Sequence, residues 1–130
     1  MKEKLSDIGE RELLNRLKSF VPLGQIDDDT AIINTLGKEL IINSDLLVEG
    51  IHFTEETTSY EDIGWKSVSV NYSDLASSGV DKVFGITVGL ILPPDTSWKW
   101  VEGVYKGITK ALDKFGGKIL GGDCSKGKQK

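Results

Sequence analysis

The sequence predicts an α+β fold, and three observations lead to it. Apolar residues recur at helical spacing in three segments, they alternate at period two in a fourth, and a pair of short β-branched runs flanks a glycine turn. The resulting order is helix, hairpin, helix, strand, helix, strand, which places helices on one face of a sheet.

From Glu10, the spacing of Leu13, Leu14, Leu17 and Phe20 predicts a short amphipathic helix that Pro22 and Gly24 end. Thr30 to Asn34 and Glu39 to Asn43 flank Leu36-Gly37-Lys38 and read as a hairpin. Asp45 to Thr58 has mixed polarity and reads as loop. Ser59 with Asp62 is a capping-box pattern, and the helix it opens runs through Ile63, Val70 and Leu75 to Gly79. Asn71, Asp74 and Ser78 share one face of it. Phe84, Ile86, Val88, Leu90 and Leu92 alternate with Gly85, Thr87, Gly89 and Ile91, a strand stopped by Pro93-Pro94. The small residues of its second face predict close packing there. Thr96 or Ser97 caps the last helix, whose stripe is Val101, Val104, Tyr105, Ile108, Leu112 and Phe115. Trp65, Trp98, Trp100 and Tyr105 read as core. After Gly116-Gly117, Lys118 to Leu120 is a short strand entering a Gly121-Gly122-Asp123 turn, and Ser125 to Lys130 is a polar tail. The tail is either a flexible terminus or a point inside a larger domain.

The chain has 130 residues, one domain by size, with 16 Lys and Arg against 20 Asp and Glu for a net charge of -4. That balance argues against a nucleic-acid or anionic-membrane surface, both of which need a basic footprint. Phosphates remain compatible if metal ions carry the positive charge. A single cysteine, Cys124, excludes an internal disulfide framework and fits a reducing compartment. With no apolar run of spanning length and no leader-like N-terminus, the expected setting is the cytoplasm, without a membrane.

Acidic residues stand at element ends: Asp27-Asp28-Asp29 before the hairpin, Asp45 after it, Asp74 in the first long helix, Asp123 beyond the last strand. Scattered carboxylates with a hydroxyl such as Ser44 suit magnesium, which takes oxygen ligands and keeps several waters, beside nucleotide phosphates. Taken singly, each reads first as an ordinary exposed turn or helix carboxylate. His52, the one histidine, has no partners for a zinc site, and its setting in Val48 to Phe53 is what distinguishes it. A Cys124–His52 thiol pair lacks any local nucleophile signature. There is no P-loop and no G-x-G-x-x-G fingerprint; Gly121-Gly122 could admit a phosphate to backbone amides, with Asp123 holding a metal beside them.

Four stretches, in order, resemble the thiamine-monophosphate kinase family, within the wider group of ATP-binding proteins related to aminoimidazole ribonucleotide synthetase. They are Ile26 to Ala31, Asn43 to Phe53, Lys66 to Gly79 around Asn71-Tyr72-Ser73-Asp74-Leu75-Ala76, and Gly121-Gly122-Asp123-Cys124. The resemblance implies ATP-dependent phosphorylation of thiamine monophosphate to thiamine diphosphate, with several Mg2+ ions bridging the substrates. Carried over by position, Asp29, Asn43, Ser44, Asp45, Asp74 and Asp123 would be metal ligands. His52 would contact the thiamine substrate, Gly122 and Asp123 would lie at the ATP phosphates, and Tyr105 or Lys106 near the nucleotide. It implies further a ferredoxin-like N-terminal domain with a mixed sheet that pairs in a homodimer, and residues 1–130 as that domain of a chain more than twice as long, whose second domain and ATP-reaching arginine are absent here. Asp27 departs from an expected glycine and Asn43 from an expected serine. Two other readings remain: a purine-pathway synthetase or hydrogenase-maturation relative on the same fold, and a non-catalytic dimerisation or metal-binding module.

Overall fold

A computed structural model describes residues 3–25 and 30–130. The chain divides into two compact units, Met1–Asn43 and Ser44–Lys130.

In the first unit, helix α1 (Leu5–Leu17) is broken at Gly9, whose φ of 73° lies outside the helical region, and continues into a 3-10 turn, Lys18–Phe20. The segment after Gly9 is the helix that the leucine spacing predicts. The turn before it rests on polar contacts: the Asp7 carboxylate accepts the Lys4 backbone N–H at 2.8 Å. Strands β1 (Ala31–Thr35) and β2 (Lys38–Ile42) form the predicted antiparallel hairpin. Its turn is Leu36-Gly37, with φ of 47° and 80°; two successive positive φ values match the right-handed strand twist. Lys38 therefore belongs to the strand, opposite Thr35.

In the second unit, helix α2 (Tyr60–Ser77) starts at Ser59, whose hydroxyl accepts the Asp62 N–H. It ends as predicted at Gly79, φ 83°, where Val80 N–H reaches Leu75 O and Gly79 N–H reaches Ala76 O. Helix α3 (Trp98–Phe115) is capped by Ser97 rather than Thr96: Ser97 Oγ accepts the Trp100 N–H at 3.2 Å. The two helices touch backbone to backbone through glycines. A Cβ at Gly64 would lie 2.0 Å from Val104 O, and one at Gly107 would lie 1.8 Å from Glu61 O.

Strand β3 (Gly85–Leu92) pairs in parallel with β4 (Lys118–Lys126), and α3 is the crossover between them. Ile86, Val88 and Leu92 pack against a core of Phe53, Ile63, Val68, Trp100, Val104, Ile108, Ala111 and Leu112. The α+β class and the element order are therefore as expected, with helices on one face of this sheet. Among the described residues the strands form two separate two-stranded sheets rather than one mixed sheet. The hairpin closes on itself within the first unit, while β3 and β4 pair only with each other.

Two local expectations are corrected. Gly121-Gly122-Asp123 is not a turn but the middle of β4, in register with Thr87, Val88 and Gly89, and the strand continues to Lys126. Parallel pairing with β3 supplies backbone partners that neither glycine propensity nor a polar composition reveals. The register slips between Ile86 and Thr87, leaving Leu120 as an extra residue. Trp98 is 73% exposed rather than core, because it sits in the first turn of α3 off the α2 contact. The small-residue face of β3 is open among the described residues: Thr87, Gly89 and Ile91 are exposed.

Candidate functional site

Residues 45–58 are irregular, as expected, but Phe53 anchors them. Its side chain is 6% exposed and enters the core, Gly50 N–H reaches its carbonyl at 2.8 Å, and Glu49 bridges to it. That anchor leaves His52 on the outside of a tight turn. The His52 N–H donates to Val48 O at 2.8 Å, and the Val48 N–H donates to His52 Nδ1 at 2.9 Å. With Nδ1 occupied as an acceptor, the neutral ring carries its proton on Nε2, which is the atom left to meet a ligand. Lys66 of α2 donates to His52 O at 2.7 Å and ties the turn to the helix.

The carboxylates sit on three different elements. Asp45 accepts the Leu46 N–H at 2.9 Å and is exposed. Asp74 is half-buried on α2, and Asn71 on the same helix donates to Ser67 O. Asp123 is exposed on β4 and lies on the open side of the sheet with Gly89 and Ser125, whereas Gly122 and Cys124, beside Val88 and Leu90, lie on the helix side. Ser44 precedes Asp45 in the second unit, and Asn43 closes the first. Asp29 lies outside the described residues.

Among the described residues, Asp45, Asp74 and Asp123 make no salt bridge, and no three His, Cys, Asp or Glu side chains form a ready metal cluster. The donor set is all oxygen. It suits a hard cation that one or two carboxylates hold while water and phosphate complete the shell, and it does not suit a closed structural metal site.

Tyr105 and Lys106 line a mostly apolar groove of about 640 Å³ with Leu90, Trp98, Val101 and Cys124. The groove thus joins the two residues expected near a nucleotide to the β4 position that follows Asp123. An aromatic and aliphatic wall with lysines at its rim can receive a flat heterocycle and an anionic tail. Gly122 has a structural reason of its own: a Cβ there would lie 2.0 Å from Val88 O, so glycine is what lets β4 approach β3.

Lys66 and Lys130 contact the His52 turn, and no local pattern marks either for that role. Their signal is three-dimensional: Lys66 is 14 positions and Lys130 more than 70 from the residues they grip.

The sequence profile of the AIR synthase related protein, N-terminal domain, matches residues 27–130. The chain is 62% identical over 128 residues to a thiamine-monophosphate kinase of Prochlorococcus marinus, covering 98% of this chain and 38% of that one. It is 42% identical over 123 residues to a thiamine-monophosphate kinase of Synechococcus elongatus, with 94% and 37% covered. Among solved structures it is similar to AaThiL complexed with AMPPCP and TMP, with a TM-score of 0.88 and 30% identity over 99% of this chain and 41% of that one. The chain thus spans about two fifths of the length of these relatives.

Proposed function

The chain belongs to the family of AIR synthase related proteins as their N-terminal domain, and from that premise we propose that it is the ATP- and metal-binding part of a kinase that phosphorylates thiamine monophosphate to thiamine diphosphate. The observation that carries this reading is the likeness over 99% of the chain to a structure complexed with AMPPCP and TMP.

In the proposed reaction an oxygen of the thiamine monophosphate phosphate attacks the γ-phosphorus of ATP in line. A new P–O bond forms, the β–γ bridging bond breaks, and ADP leaves. Such a transfer asks the protein for positioning and charge neutralisation, not for a covalent nucleophile. The His52 turn presents Nε2–H to the thiamine substrate. Tyr105 or Lys106 lies near the nucleotide, and Gly122 and Asp123 lie at its phosphates. Asp29, Asn43, Ser44, Asp45, Asp74 and Asp123 would hold several Mg2+ ions, which when bound supply the positive charge that this acidic chain lacks. Pairing of the sheet with a second copy belongs to the same reading. So does a cytoplasmic setting; among the described residues no helix is long and apolar enough to cross a membrane.

The test is ADP release with magnesium, ATP and thiamine monophosphate, run on this chain and on the longest product of its reading frame. Turnover by the longer product supports the reading, and turnover by neither contradicts it. His52→Ala should weaken thiamine monophosphate binding and leave ATP binding in place; unchanged affinity would instead favour a relative acting on another substrate.

A further inference from the structure

Lys130 is 14% exposed at its side chain, an unusual depth for a lysine, and it is surrounded by acceptors. Its Nζ pairs with Glu55, lies 3.9 Å from Glu49 Oε1, and stands 5.2 Å from the centroid of the buried Trp100 ring. Its backbone is engaged as well. The Glu49 N–H donates to Lys130 O at 2.9 Å, the Lys130 N–H donates to Glu49 Oε2 at 3.4 Å, and Gln129 Nε2 donates to Glu49 O at 3.1 Å. Glu49 and Glu55 bracket the turn that carries His52. Lys66 fixes one side of that turn through His52 O, and Lys130 closes the other.

We infer that Lys130 is a positioning residue: by neutralising Glu49 and Glu55 over the Trp100 face, it holds the 48–53 turn in the shape that presents His52 Nε2. The part of this that concerns substrate rests on the function proposed above; the clamp itself rests on contacts alone. Without the ammonium, two carboxylates are left facing each other beside a buried ring, and the turn opens to relieve them. Arginine keeps the charge and the cation–π contact, so it preserves the clamp.

Hydrogen exchange on the chain, on Lys130→Met and on Lys130→Arg tests the clamp. The Gly50, Ile51 and His52 amides should exchange roughly tenfold faster or more in Lys130→Met, with α2 and α3 amides unchanged and protection restored in Lys130→Arg. Unchanged exchange in the turn overturns the inference, and so does equal loss across α2 and α3, which would make Lys130 a support of the whole fold. In the longer product, Lys130→Met should raise the KM for thiamine monophosphate about tenfold and leave the KM for ATP within about twofold, with Lys130→Arg near the parent. A turn loosened by Lys130→Met, together with His52→Ala that leaves thiamine monophosphate binding intact, upholds the clamp and refutes the substrate reading instead.

Discussion

At the scale of single residues, the structure separates side chains that hold shape from those left exposed. Phe53 and His52 are neighbours with opposite fates: one is buried in the core, the other is displayed by it. Gly122 shows how a motif position can carry a packing duty alongside a proposed binding one. Gly122→Ala must force a Cβ against Val88 O at 2.0 Å, so the strands part. The expected loss is about 2–3 kcal/mol in unfolding free energy, measured by urea denaturation. ATP binding by that variant therefore reports on β4 geometry as well as on phosphate contact. The Val48 to Phe53 block stood out in the sequence as a candidate, but the contacts that shape its turn did not, because their partners come from α2 and from residues 129–130.

At the scale of elements, the decisive contact is the close approach of α2 and α3. Gly107→Ala gains up to about 1 kcal/mol of helix propensity, yet its Cβ would sit 1.8 Å from Glu61 O, and overpacking of backbone outweighs that gain. A net destabilisation of about 2 kcal/mol or more is expected, visible as a lowered urea midpoint. The end of α3 is held by Tyr72, whose hydroxyl donates to Gly116 O at 2.7 Å. Burial pushes the Tyr72 phenol above its ordinary range. The folded state thus keeps this proton when the unfolded chain has released it, so the contribution is complete below the unfolded value and is lost as pH rises past about 10. Tyr72→Phe should cost about 1 kcal/mol at neutral pH and flatten the alkaline fall in stability, as seen in denaturant midpoints between about pH 8 and 11.

At the scale of the whole molecule, the proposed function makes metal and nucleotide mutually dependent ligands, because the chain carries a net charge of -4 and its carboxylates stand on separate elements. Mg2+ and ATP together should raise the thermal midpoint of the chain by several degrees at saturating concentrations; Asp45→Asn and Asp123→Asn should remove the rise without shifting the unliganded midpoint, since both side chains are exposed. Differential scanning fluorimetry reads both effects. The order of elements, both long helices with their caps, the hairpin and the β3 strand were written in the sequence, because periodicity, serine caps and positive-φ glycines act over a few residues. The acidic residues were visible as residue types, but Asp123, expected beyond the last strand, lies in the middle of β4. What only the tertiary structure decided was the parallel pairing that draws Gly121 to Lys126 into β4, the exposure of Trp98 beside the groove, and the grip of Lys66 and Lys130 on the His52 turn. Those depend on contacts between residues far apart in the chain, and local pattern carries no record of which distant backbone or carboxylate will complete a hydrogen bond.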